Sequence, residues 1–359
     1  MANAKTKEQT SSPIGANLPR NDVYDKVTGS AIYTDDIQFG NKLLYARAKR
    51  SPYPHALIKK LDVSKAAAYP GVKAVVTGKD YPERVGLYLK DKSIFAIDRV
   101  RFVGEPVAAV AAVSDEIAMK AVELIEVEYE QLEAVFDAEF GASDKAPLIH
   151  PDLGKYECVN FIFPKPGTNI SNHFKIRHGS CDEAWKQCEY IVERTYKIPH
   201  VQHVPIETHI SVALVDDKGK VTVWASSQSP FAQRNLLAKT LHISESDIRV
   251  IANTVGGGFG SKAGITMENI AVALAVKCKG WPVKFILTRE EEFYTNFVRQ
   301  GLITHVKVGC DKNGKILGLK NVMYWDGGAS TEYGTNVTRA GGYSSSGPYN
   351  IPNVETDSI

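Results

Sequence analysis

Thr254-Val255-Gly256-Gly257-Gly258-Phe259-Gly260-Ser261-Lys262 places four glycines in five positions and leaves the backbone almost bare of side chains. Residues 247–252 before it read as a strand. Residues 265–278 after it read as a helix, with Ile270, Val272, Ala273, Leu274 and Val276 as apolar positions and Gly280 as its stop. A bare strand–loop–helix can bring several N–H groups close to an anion, with a helix N-terminus aimed at it. The same pattern also describes a tight turn packed under another element. A Cβ at Gly258 is expected to fill space that a ligand needs, at backbone angles that glycine alone adopts freely.

The loop matches neither common phosphate motif. The P-loop requires Lys followed by Ser or Thr, whereas Ala263 follows Lys262. The dinucleotide fingerprint G-x-G-x-x-G requires glycine where Ser261 stands, and Glu290 to Glu292 come too late for its acidic partner.

The chain has 359 residues, enough for two or three domains. Its net charge of +2 shows no basic excess that would point to nucleic acid. The longest apolar stretch, residues 106–113, is too short to span a bilayer. Residues 1–22 are polar, lack a signal-peptide core and read as a disordered tail. The five cysteines (Cys158, Cys181, Cys188, Cys278, Cys310) form no C-x-x-C pair and are odd in number. That argues against an iron–sulfur site, a zinc site or a disulfide framework, and for a reducing cytoplasm. His200 and His203 stand three apart, but no carboxylate or cysteine shares their spacing, so they are not read as metal ligands.

Residues 23–140 read as one α/β unit. Strands are expected at 43–49, 57–63 and 72–77, and a buried strand at 105–113. Ser114-Asp115 caps a helix, and residues 124–130 return as a strand, a candidate βαβ unit. Residues 141–171 are a Pro/Gly-marked linker, with Leu148, Ile149, Phe161 and Phe163 available to pin it to a surface. A second unit fills 172–359, with strands at 191–198, 210–216, 221–224 and 283–287, a helix from Pro230 to Leu241, and a hairpin around 311–314. Nothing at 352–359 resembles a terminal cap, so the sequence is expected to stop inside a domain or in a short frayed tail.

Seven segments in order resemble one family. They are Asp25 to Gly29 with Tyr33 to Ile37, Val103 to Ala108, Ile149 to Asp152, Pro205-Ile206-Glu207-Thr208-His209, Ser227-Gln228-Ser229-Pro230, Val255 to Lys262, and Thr288 to Glu292. Together they resemble the large, molybdopterin-binding subunit of the xanthine dehydrogenase / aldehyde oxidase family of molybdenum hydroxylases. The resemblance implies an α+β fold: an N-terminal α/β hammerhead domain over 23–140, then a mixed α+β molybdopterin-binding domain over 172–359, incomplete at its C-terminus.

It also implies a chemistry. A carbon centre (aldehyde, N-heterocycle, aromatic thioester or carbon monoxide) is oxidised with water as the oxygen source at molybdenum–molybdopterin, for which the cytosine dinucleotide form is one option. Electrons pass to Fe–S clusters and FAD on partner subunits. Carried over by position, Gly257, Gly258, Phe259 and Gly260 match the loop beside the cofactor, and Gln228 matches a glutamine bonded to its oxo group. Glu207 is read as structural, fixing its strand, and Arg289 as a scaffold pairing with Glu290 or Glu292.

Two departures bear on activity. Ala263 stands where purine-oxidising members carry a glutamate, so a carboxylate contact to a purine is missing. The family's arginine-bearing cofactor loop and glutamate base have no counterpart in these residues. The base is expected beyond Ile359, and the chain is expected to be inactive alone without the remaining half of the molybdopterin subunit. A non-catalytic or split assembly subunit and a nucleotide-binding enzyme using the glycine loop are the competing readings.

Overall fold

The computed structural model describes residues 14–359. Of the expected N-terminal tail, residues 1–13 lie outside the described residues, and residues 14–22 form an exposed stretch.

In chain order, helix α1 (Val23–Thr28) precedes strands β1 (Leu44–Arg50) and β2 (Ala56–Asp62), then α2 (Ser64–Ala67) and β3 (Val72–Thr77). The short strands β4 (Arg84–Val85), β5 (Lys92–Ser93) and β6 (Arg99–Val100) lead to β7 (Pro106–Ala112), α3 (Asp115–Glu123) and β8 (Glu126–Gln131). After α4 (Ala138–Gly141) come β9 (Phe174–His178), α5 (Cys181–Trp185), β10 (Tyr190–Ile198), β11 (Ile210–Val215) and β12 (Val221–Ala225). Then follow α6 (Pro230–Leu241), β13 (Ile248–Ala252), α7 (Glu268–Lys277), β14 (Val283–Ile286) and α8 (Arg289–Thr295). The chain closes with β15 (Gly301–Cys310), β16 (Ile316–Asp326), α9 (Gly334–Tyr343) and β17 (Asn353–Ser358).

The main sheet has seven strands in the order β13-β12-β11-β14-β1-β7-β3. Strand β1 from the N-terminal segment runs parallel to β14, so one sheet takes strands from both halves of the chain. Strand β7 is apolar along its whole length because both of its faces are covered. Ala109 and Ala111 face the large core with α6 and α7, while Ala108 and Val110 join the core beside Ala121 of α3. Helix α7 is nearly all buried. Ile270 and Leu274, shielded from water, each contribute about 1.5–3 kcal/mol.

The expected βαβ unit does not form. Ser114 does cap α3, its hydroxyl accepting from Ile117 N–H, but β8 joins β2 and β6 in a separate three-stranded sheet. Hydrophobic pattern alone cannot say which sheet receives a returning strand. In the segment 141–171 Leu148, Ile149 and Phe161 are half-buried, with Phe161 edge-on to Tyr88, and Phe163 points to solvent; the fully buried anchors are Leu153 and Ile162.

A second large sheet runs β10-β15-β16-β17-β9. Residues 352–359, read as lying inside a domain or as a short frayed tail, carry β17, which pairs parallel with β16 and antiparallel with β9. Its inward face is Val354, Thr356 and Ser358, two of them small polar residues, so the alternation is hard to see in the sequence.

Candidate cofactor loop

The glycine segment leaves β13 at the end of the main sheet and reaches α7 only after fifteen residues, 253–267. Three side chains fasten it. The first is Glu207, whose backbone N–H donates to Gly256 O (3.1 Å) and whose carboxylate accepts from Gly256 N–H (2.8 Å). Lys262 Nζ then donates to the Glu207 carboxylate and to its carbonyl, 2.8 Å each. The Lys262 side chain is fully buried. Burial pulls its ammonium below the ordinary lysine value, and the Glu207 carboxylate opposes that shift. One carboxylate thus holds both ends of the glycine run, which agrees with a structural Glu207.

The second fastener is Gln228. Its amide oxygen accepts from Gly260 N–H (3.0 Å) and Lys262 N–H (3.3 Å), and its backbone N–H donates to Lys262 O (2.9 Å). Its amide NH2 meets no acceptor among the described residues. The third is His209, whose Nε2–H donates to Ser261 O at 3.0 Å while Nδ1 faces the Glu292 carboxylate at 2.8 Å. Asn296 also donates to Glu292. Burial alone would raise the Glu292 carboxyl, but its bonds to His209 outweigh this and hold it below the usual glutamate value.

Between these ties, the N–H groups of Gly257, Gly258 and Phe259 meet no acceptor among the described residues. Gly257 and Gly260 have φ of +103° each and Phe259 has +54°, so the loop turns through left-handed backbone three times in four residues, which leaves its N–H groups free to line a concave turn. Phe259 is 73% exposed. The loop therefore presents a row of donors beside the Gln228 amide, flanked by an apolar ring.

Three expectations need correction. Helix α7 does not aim its N-terminus at a ligand: the Glu268 carboxylate accepts from Thr266 N–H (2.8 Å) and Met267 N–H (3.1 Å), and takes a further bond from Gln233 (3.0 Å). Gly258 does not have a positive φ, and a Cβ there would meet Gln228 first, 2.5 Å from its Oε1. The backbone restriction lies at Gly257 and Gly260 instead. Arg289 pairs with neither Glu290 nor Glu292. It donates to the carbonyls of Pro205 (2.5 Å) and Ile206 (2.8 Å), bracing the segment that carries Glu207.

Lys262 carries no role of its own in the sequence reading, and the structure makes it a buried cation of the site. His203, set aside as a metal ligand, lies against the loop, with Nε2 3.7 Å from the Cβ position of Gly260. Burial holds its ring below the ordinary histidine value. His209 lay inside a recognised segment, but its pairing with Glu292 needs a contact 83 residues away, which local pattern cannot reveal.

Two family profiles match. One, described as the molybdopterin cofactor-binding domain, covers residues 162–359. The other, the a/b hammerhead domain of aldehyde oxidase and xanthine dehydrogenase, covers residues 28–133. The chain is 34% identical over 346 residues to the nicotinate dehydrogenase large molybdopterin subunit of Eubacterium barkeri, covering 96% of this chain and 77% of that one. It is 35% identical over 342 residues to a probable xanthine dehydrogenase subunit of Bacillus subtilis strain 168, covering 95% of this chain but 44% of that one. The aldehyde oxidoreductase of Desulfovibrio gigas shares the fold, with a TM-score of 0.83 at 24% identity over 94% of this chain and 37% of that one.

Proposed function

The chain belongs to the xanthine dehydrogenase / aldehyde oxidase family of molybdenum-dependent oxidoreductases, and on that premise we propose that residues 254–262 hold molybdenum–molybdopterin for the oxidation of a small-molecule carbon centre. The observation that carries the reading is the donor row Gly257-Gly258-Phe259, open toward a ligand and clamped at both ends by Glu207 and Lys262.

The residues present fit such a group. An oxo-bearing metal–dithiolene centre is anionic, and the loop offers backbone N–H donors at Gly257 and Gly258, which carry no side chain of their own. Gln228 adds an amide NH2 at the same rim. When bound, the cofactor supplies two-electron oxidation with oxygen taken from water. This chain's part is to position and polarise. Gln228 fixes Gly260 and Lys262 through its oxygen and turns its NH2 to the ligand. Phe259 offers an apolar ring against which a planar substrate can lie. The buried Lys262–Glu207 pair keeps the row from shifting as charge on the centre changes.

The substrate we favour is an aldehyde or an N-heteroaromatic ring rather than xanthine. Ala263 offers no carboxylate beside the loop, and a relative of which this chain spans 77% is named for nicotinate. The dinucleotide form of the cofactor, Fe–S and FAD partner subunits, a base supplied from outside these residues, inactivity of the chain alone and a cytoplasmic location belong to the same proposal. No helix among the described residues is long and apolar enough to cross a membrane. We also propose that the hammerhead part extends over 23–140 and the cofactor-binding part over 172–359.

A nucleotide-binding loop is disfavoured because Glu268 already occupies the N-terminus of α7. Growth of the native host on tungstate separates the readings. The proposal expects the complex to lose hydroxylase activity while this chain is still made, and full activity without molybdenum would refute it.

A further inference from the structure

A cavity of about 390 Å³ lies between the N-terminal unit and the second unit, and no residue of the glycine loop lines it. Five side chains on its wall carry a buried nitrogen or oxygen with no hydrogen-bond partner among the described residues. They are Asp91 Oδ1, Arg101 Nε, Gln300 Oε1, Thr331 Oγ1 and Thr335 Oγ1. Buried polar atoms are normally paired, so a group of orphans around one hollow marks the place of a polar guest. Phe102, Ile149 and Ile170 line the same cavity and suit an apolar body.

Arg101 decides the sign of the guest. Its side chain is only 7% exposed. Nη1 donates to Arg99 O at 3.0 Å, and Glu105, which does not reach the cavity wall, stands 3.9 Å from the same nitrogen. The edge formed by Nε and Nη2 is left free, and that edge is the fork that takes a carboxylate side-on. The Thr331 and Thr335 hydroxyls can turn to donate as well. Asp91 donates in its protonated form, which burial favours up to about pH 7. The oxygens alone would also suit a cation, but the field at this wall is positive. After burial, Arg101, Arg84 and Arg99 hold the His150 ring on the same wall down to about 3. The other carboxylates of the wall are screened by water: Asp137 is exposed, and Asp326 is partly exposed beside His200. Water alone would satisfy the hydroxyls and leave the guanidinium without a close counter-ion.

We propose that this cavity is a second ligand site, which takes a small organic carboxylate with an apolar body, its carboxylate on the free edge of Arg101 and on the Thr331 and Thr335 hydroxyls. The site draws on both units, so its ligand bridges them. It is independent of the cofactor reading.

The test uses the assembled native complex. Crystals soaked in 4-bromobenzoate should show an anomalous bromine peak in the cavity, with the carboxylate on the Nε side of Arg101. In calorimetry, benzoate should bind at least tenfold tighter than its neutral isostere benzamide. Arg101→Gln should weaken benzoate roughly ten- to a hundredfold, the range of a lost charged hydrogen bond, and leave benzamide unchanged. Thr335→Val keeps the cation and the side-chain volume, and should weaken benzoate severalfold even if Arg101→Gln fails to fold. A complex without molybdenum should bind benzoate equally well. No bromine in the cavity, bromine only beside residues 254–262, a metal ion among the five orphan atoms, equal affinity for benzoate and benzamide, or benzoate affinity unchanged in Thr335→Val would each overturn the proposal.

Discussion

Lys262 Nζ stands 2.8 Å from both the carboxylate and the carbonyl oxygen of Glu207, and the same carboxylate accepts from Gly256 N–H. Two residues 55 positions apart thereby fix the span of the glycine loop between them. A buried ion pair adds little net stability over an apolar pair, but removing one partner leaves a charge uncompensated.

Lys262→Met should therefore destabilise the protein by about 3–5 kcal/mol. Glu207→Gln, which keeps an acceptor for Gly256 N–H, should cost less. The double variant should be less destabilised than the sum of the two. Denaturant midpoints of the four proteins check this, and strict additivity would show that the pair does not act as a unit.

Gly258→Ala should displace Gln228 rather than unfold the loop, because the new Cβ would meet Gln228 Oε1 at 2.5 Å and the φ there is permissive. The variant should resemble Gln228→Ala in activity and stability. Combining the two substitutions should add little. If Gly258→Ala is far worse than Gln228→Ala, the space above Gly258 belongs to something other than that side chain.

Gln228→Ala in the complete complex should lower kcat more than it raises KM, since the amide holds the donor row and, in the proposed reading, faces the reacting centre. The loss of one such donor typically costs on the order of 2.7–4 kcal/mol, a hundredfold or more in rate. Molybdenum should remain bound. Steady-state kinetics normalised to metal content give the answer, and an unchanged kcat would make Gln228 an ordinary loop residue.

Asp91 supplies a pH dependence. Its carboxyl is buried at the junction with the 327–333 loop, accepts from Thr331 N–H (2.8 Å), and is pushed up from 3.8 to about 7, first by burial and then by nearby Glu332. The folded state therefore holds a proton that the unfolded chain releases. Stability on this account falls as pH rises from about 4 to about 7 and is lowest above that range. Asp91→Asn, neutral at every pH, should flatten this fall, raising the melting temperature at pH 8 relative to wild type and not at pH 4. Equal slopes in the two proteins would mean Asp91 ionises freely.

Much of this was legible because local chemistry carried it. Pro230 at the first turn of α6 and Ser114 at the cap of α3 mark helix starts that the structure keeps. The strand before the glycine loop and the apolar helix after it are both present. What was hidden depended on distant packing. Helix α9 contains three glycines, a poor local signal, and forms where Gly341 lies against Trp325 and Gly342 against Phe174. The union of β1 with β14 and the separation of β7 from β8 are matters of tertiary pairing. At the site the glycines and Gln228 were visible as a pattern. The Glu207–Lys262 clamp and the His209–Glu292 tie were not, because each joins residues at least 55 positions apart.

The most direct test of the central claim is anomalous diffraction at the molybdenum edge from crystals of the native complex. The account expects a molybdenum peak beside the donor row, with an acceptor of the bound group in hydrogen-bond reach of the N–H groups of Gly257, Gly258 or Phe259. A molybdenum peak remote from residues 254–262, or a fully assembled and active complex with no molybdenum at all, would contradict it.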